Sequence, residues 1–193
     1  MADQGIEFDA MMYFEKKNAY GKGRSIPPIV GECLETHYKK LGVFHIKSFK
    51  WGVEHSAASL ADAGAQVKIV AITKDIDQAT PQLYFACCTG AVFNTAHIFF
   101  RKTGGEKQIF KFIRFKFGLV QVTKWELAEL VETVEIRFNS CKVKYQKQTA
   151  KGGKAEAPTI RAYNFADLDK PSAPQLDGDD EDDAIDMQAL FGE

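Results

Sequence analysis

No run of eighteen or more apolar residues occurs in the 193-residue chain, so no membrane-spanning helix is expected. The opening "MADQGIEFDAMMYF" lacks a basic stretch followed by an apolar one, so no cleavable export signal is expected either. Cysteine is scarce: Cys33, Cys87, Cys88 and Cys141, with no C-x-x-C spacing. That pattern excludes a disulfide framework and fits reduced thiols made in a cytoplasm. The four histidines, His37, His45, His55 and His97, form no H-E-x-x-H or other ligand pair, so no zinc site is expected. "GKGRS" at 21–25 lacks the G-x-x-x-x-G-K-S spacing that cradles phosphates, and no G-x-S-x-G nucleophile turn occurs. No catalytic residue, cofactor or metal is assigned.

What is present divides in two. Hydrophobic residues make up 45% of the chain, enough for one core. The net charge of -1 hides a split. Asp167 to Glu193 holds ten acids and one base, about −9, and the first 166 residues hold 24 bases and 16 acids, about +8. A basic folded body over 1–166 and an acidic tail over 167–193 are expected. "DGDDEDDAID" cannot bury a core and is read as disordered.

Along the body, "IEFDAMMYFE" reads as a strand, and 17–42, with glycines and Pro27-Pro28, as mostly loop. "VFHIKSFKWGVEH" reads as strand, "SAASLADAGA" as a long flexible loop, and "QVKIVAITKDI" as strand with Val67, Ile69 and Ala71 on one side. Thr80 is placed as N-cap and Pro81 as first helical residue of a short helix ending at Gly90, with an apolar face of Leu83, Ala86, Cys87 and Gly90. Two apolar runs around Thr103-Gly104-Gly105-Glu106 read as a hairpin. "LVQVTKWEL" continues the strand. Val134, Ile136 and Phe138 share a face before the phase shifts to Cys141, Val143 and Tyr145, which predicts a bulge near Asn139. "TIRAYNFADL" reads as a last short strand. The fold class is mainly β: a small β-barrel of two sheets with one short flanking helix and a disordered acidic tail.

The most chemically suggestive run is "DIDQATPQLYFACCTGAVF", residues 75–93. On a helix adjacent residues point about 100° apart, so Cys87 and Cys88 do not face one target, and Cys87 is a core filler. Asp75 and Asp77 have no third or fourth oxygen ligand nearby, so they end a strand and favour the helix N-terminus. The strand "FKFIRFKFG" interleaves Phe110, Phe112, Phe115 and Phe117 with Lys111, Arg114 and Lys116, as a nucleic-acid platform would. Its alternation breaks at Phe112-Ile113, which favours core plus a charged face.

Taken in order, these pieces resemble the Hcp family (haemolysin co-regulated protein), the inner-tube proteins of bacterial type VI secretion systems. The family's Ser-x-x-Trp-Gly strand end is matched by Ser48 to Gly52. Its Lys-x-Ile-Asp helix entry is matched by Lys74, Ile76, Asp77, Ala79 and Pro81. Gly90 follows the helix, Lys102, Gly104 and Gly105 match its hairpin, and Tyr145 to Gln148 its closing Tyr-x-x-Gln. The resemblance covers about residues 5–166. It implies a structural, non-enzymatic subunit that forms homohexameric rings, which stack into a hollow tube. It also implies a VgrG spike, a surrounding contractile sheath, a baseplate and effector proteins in the lumen as partners. Manufacture in the bacterial cytoplasm, export without a signal peptide, no membrane insertion and no nucleic acid follow from the same resemblance. The family's extended loop, which reaches the adjacent ring, falls on Val53, Glu54, His55, Ser56, Ala57, Ala58, Ser59, Leu60, Ala61, Asp62, Ala63, Gly64 and Ala65. A tube protein of a related contractile injection particle or phage tail is the alternative, and a β-barrel nucleic-acid-binding module a more distant one.

Two parts depart from the family pattern. Residues 17–42 are longer and richer in proline than a minimal member needs, and the tail from Asp167 is extra. Within the tail, Ile185, Met187, Leu190 and Phe191 behind an acidic run resemble a short partner-binding motif for a basic groove, or a segment that folds back on the basic body.

Overall fold

The structure, a computed structural model, describes residues 8–15, 18–20, 27–55, 65–103, 109–147 and 157–165. The expected turn at 104–106, most of the long loop and the acidic tail lie outside the described residues.

The chain is mainly β, as its alternation predicts. In order it forms β1 (Phe8–Phe14), β2 (Asn18–Tyr20), α1 (Thr36–Lys39), β3 (Phe44–Ile46), β4 (Ser48–Lys50), β5 (Val53–His55), β6 (Ala65–Val67) and β7 (Val70–Asp75). Then follow α2 (Thr80–Thr89), β8 (Val92–Thr103), β9 (Ile109–Ala128), β10 (Val131–Arg137), β11 (Ser140–Tyr145) and β12 (Thr159–Asn164). One ten-stranded sheet runs β3-β1-β8-β9-β10-β7-β4, with β2 beside β8, and with β11 beside β9 and β12 beside β11. β5 and β6 make a separate two-stranded ribbon.

The path's two ends are neighbours in sequence. β3 pairs with β1 and β4 pairs with β7, and only Lys47 separates them. The Lys47 N–H donates to the Thr73 carbonyl at 2.7 Å. The sheet therefore rolls into a barrel-like wall whose margins are joined through the chain. Inside lies the main core, including Phe14, Phe44, Ile72, Leu83, Phe93, Ile98, Phe117, Val122 and Val134.

β9 is long, and its 20 residues change partner. Ser140–Tyr145 lies against Ile113–Gly118, and Val131–Arg137 against Gln121–Ala128. Between them the core side changes phase: Phe115 and Phe117 point in, then Val120 and Val122. Leu119 absorbs the shift with φ of 51°, and the Asn139 N–H donates to the Gly118 carbonyl opposite it. The irregularity expected near Asn139 is thus the break between β10 and β11. In the strand before α2, the core side is Val70, Ile72 and Lys74, the opposite set from Ile69 and Ala71.

The segment read as loop does more than connect. The Gly31 N–H bonds the Gly42 carbonyl and the Cys33 N–H bonds the Val43 carbonyl. This lays Ile29 to Val43, with the single turn α1, across the outer face of β1 and β8. There Cys33, Tyr38, Leu41 and Val43 form a second cluster with Met11, Tyr13 and Phe99. A Cβ on Gly31 would stand 2.5 Å from the Phe44 Cβ and the Val43 carbonyl oxygen, so only glycine permits this approach.

Candidate assembly surfaces

The helix entry shows how the suggestive run is used. The Thr80 side chain does not cap the helix; the N-cap position is Ala79, and Thr80 lies inside the helix. Asp77 supplies the capping oxygen instead: its Oδ1 accepts from the Ala79 N–H at 2.8 Å, and Thr80 Oγ1 accepts from the Asp77 N–H at 3.0 Å. This exchange satisfies donors that the helix start leaves open. Gly90 closes the helix in the left-handed region, φ 63°, with its N–H on the Ala86 and Cys87 carbonyls. Leu83 and Ala86 are buried and Cys87 packs on the core, as the spacing predicts.

Asp77 has a second task. Lys74, fully buried, donates to Asp77 Oδ1 at 2.8 Å, to the Asp75 carbonyl at 2.7 Å and to Glu132 Oε2 at 2.6 Å. Its three N–H donors thus meet three acceptors. Glu132, also fully buried, accepts from Trp125 Nε1 at 3.0 Å. Asp75 turns outward and pairs with Lys47 at 2.8 Å. The carboxylates 75 and 77 therefore tie β7 to α2 and to Lys47, the residue between β3 and β4.

Cys33 and Cys141 are buried, Cys87 is half-buried against the core, and Cys88 is exposed. Burial pushes the Cys141 thiol up to about 12 and also raises that of Cys33. His45 and His55 are exposed, and His97 is buried, stacked on Tyr13 at 4.4 Å and 3.3 Å from Glu15. Among the described residues, no group of three or more His, Cys, Asp or Glu could hold a metal ion. Phe115 and Phe117 sit in the core and Phe112 packs on Phe100, so these rings do not form an exposed stacking platform.

The segment expected from the family resemblance to be the extended loop leaves the wall at Trp51. That indole packs edge-on against Phe115, Phe117 and Phe138 and so anchors the exit. Beyond it, Val53 pairs with Val67, Glu54 with Gln66 and His55 with Ala65. Val53, Glu54 and His55 are all exposed, and Glu54 pairs with Lys68. Residues 56–64 and the tail residues Ile185, Met187, Leu190 and Phe191 lie outside the described residues.

Three features escaped the sequence reading. One is the Lys74–Glu132 pair. Another is the clamp on Arg101, which donates to Glu35 at 2.5 Å and to Asp9 at 3.1 Å and stacks over Tyr38. Burial works against that charge, but the Glu35 and Asp9 carboxylates outweigh it and push the Arg101 pKa up. The third is the β9–β10 turn, where Glu129 and Leu130 are both left-handed and Leu130 is 72% exposed.

Comparison with known proteins agrees with this geometry. The family described as "Type VI secretion system effector, Hcp" matches residues 19–145, well over half of the chain. Protein hcp1 of Pseudomonas aeruginosa is 34% identical over 104 residues, which cover 51% of this chain and 64% of that protein. The match thus spans just under two thirds of that relative's length. The solved structure of a type six secretion system protein superposes with a TM-score of 0.68 at 20% identity, covering 84% of this chain and 98% of the other. Hcp1 from Salmonella typhimurium superposes with a TM-score of 0.57 at 21% identity, covering 83% and 96%. The structures agree in fold, the profile agrees in sequence, and the chain belongs to the Hcp family of type VI secretion tube proteins.

Proposed function

We propose that this chain is the structural subunit of a type VI inner tube. Six copies close into a ring, and rings stack head to tail into a hollow tube. The tube is propelled with its VgrG spike by a surrounding sheath and carries effectors in its lumen. The subunit is made in the bacterial cytoplasm and leaves with the tube, without a signal peptide.

The observation that carries this reading is the β5–β6 ribbon. It is the one pair of described strands outside the ten-stranded sheet, and its Val53, Glu54 and His55 are exposed. A ribbon fixed at Trp51 and extended by residues 56–64 suits a contact with the next ring. Heterologous contacts of this kind close into rings or extend into tubes according to the rotation between copies.

Negative-stain electron microscopy with a native mass tests the reading. Hollow six-membered rings or stacks of them are expected. A monodisperse monomer at high concentration overturns it.

A further inference from the structure

A cleft of about 300 Å³ opens where the β5–β6 ribbon meets the wall. Val67, Ile69, Phe138 and Phe165 give it an apolar lining, and Lys68 and Arg137 add cations. Ligand pockets begin at about this size. Both sides of the cleft are held in place. On one side Val67 pairs with Val53 across the ribbon, and the Lys68 N–H donates to the Gly52 carbonyl at 3.0 Å. On the other, Phe138 is buried against Phe117 and Trp51. Ile69 nevertheless keeps 42% of its surface exposed, and Arg137 is exposed beside Phe138.

The last described residue belongs to this cleft. The Phe165 N–H donates to the Asn139 carbonyl at 2.7 Å, and the Phe165 ring meets that of Phe138 edge-on at 5.9 Å. Residues 166–193 therefore start from the cleft wall. Their end, "IDMQALFGE", 185–193, carries Ile185, Met187, Leu190 and Phe191. Asp186 and Glu193 stand among these, and Asp182 and Asp183 just before them. Such a peptide matches the cleft twice over, apolar side chains to an apolar lining and carboxylates to Lys68 and Arg137. The cost of closing a loop grows only with the logarithm of its length, so a return from Phe165 through residue 185 is inexpensive. The tether also keeps the segment at an effective concentration on the order of millimolar.

We propose that Ile185, Met187, Leu190 and Phe191 dock in the cleft of their own chain, between β6 and the β10–β11 break. The tail end thereby closes the foot of the ribbon. That this withholds the ribbon from a second ring rests on the tube reading; the docking itself does not.

Ultraviolet cross-linking of the full chain with p-benzoyl-phenylalanine in place of Phe191, followed by peptide mapping, tests it. Links to residues 67–69, 137–138 or 165 are expected, in a product that still runs as one chain after denaturation. No link, links elsewhere, or a product of two chains overturns the proposal. Hydrogen–deuterium exchange gives a second reading without a label. In the full chain with Leu190→Asp and Phe191→Asp, amides at 67–69 and 137–139 should exchange several-fold faster than in the parent. Equal exchange overturns the proposal. A native mass on the same samples separates this result from the tube reading. Single subunits with the intrachain link uphold the docking without the tube, and rings without the link uphold the tube without the docking.

Discussion

Lys74 and Glu132 stand directly opposite each other on β7 and β10, both fully buried, and their charged groups meet at 2.6 Å. Removing Lys74 strands the Glu132 carboxylate in the core, and removing Glu132 leaves Lys74 with Asp77 as its remaining ionic partner; breaking a buried pair costs about 3–5 kcal/mol, with the larger loss expected for the Lys74 variant. Lys74→Met and Glu132→Leu should each lower stability by that order. The double variant should recover part of the loss, because the carboxylate left without its cation is then Asp77, which is partly exposed and still accepts from the Ala79 N–H. Urea denaturation of the four proteins, read as a double-mutant cycle, checks this. Additive losses would show that the two residues act independently.

Glu15 predicts an acid-side dependence. The hydrogen bond from His97 holds its carboxyl at about 2, below the ordinary 4.5, against the opposing effect of burial. A depressed carboxylate stabilises the fold above its unfolded value, and that stabilisation disappears as pH falls through the folded value. The melting temperature of the parent should therefore exceed that of Glu15→Gln above pH 4.5. The gap should close between 4.5 and about 2. A gap independent of pH would assign the effect to packing.

The β9–β10 turn holds two non-glycine residues at positive φ, 50° at Glu129 and 65° at Leu130. Each left-handed non-glycine costs roughly 1–2 kcal/mol, and Asn-Gly is the pair that such two-residue turns favour. Glu129→Asn with Leu130→Gly should raise the stability of the unassembled subunit by about 1 kcal/mol or more in thermal or chemical denaturation.

The ribbon allows a clean excision. His55 and Ala65 are register partners, so residues 56–64 can be replaced by Asn-Gly, the two-residue turn of a tight hairpin. The shortened chain should keep its melting temperature within a few degrees and its ring mass, and should lose ring-on-ring stacks in electron micrographs. Stacks of normal length would remove the loop from the stacking contact.

Much of this architecture was legible in local pattern. Pro81 and Gly90 bracket α2, and alternation placed Val134, Ile136 and Phe138 on the core side, where all three are buried. What escaped depends on partners far away in sequence. Lys74 continues the series Val70, Ile72, and Glu132 precedes Val134, Ile136, so the period of two puts both inside. A charge at such a position reads as a flaw until its partner, 58 residues away, is known. Thr80 was misread because the oxygen that caps the helix comes from Asp77, three residues earlier. The role of Ile29 to Val43 was hidden by its glycines and prolines. Its signal lay in β1, where Met11, Met12, Tyr13 and Phe14 are consecutive and apolar, the mark of a strand covered on both faces. The loop at 53–65 came from family resemblance alone, since a small-residue surface segment carries no pattern of its own.

Lys47, the single residue between the two margins of the wall, has a kinetic consequence. Phe44–Ile46 needs β1 on one side, and Ser48–Lys50 needs β7 on the other. Those strands stand in register only after β8, β9 and β10 have paired between them. Contacts such as Arg101 to Asp9 span 92 residues, so most of the chain must be present before the wall can form. Pairings this distant slow folding and make it cooperative. The seven residues from Phe44 to Lys50 therefore act as the final stitch, and a nascent chain has no self-sufficient half on which to pause.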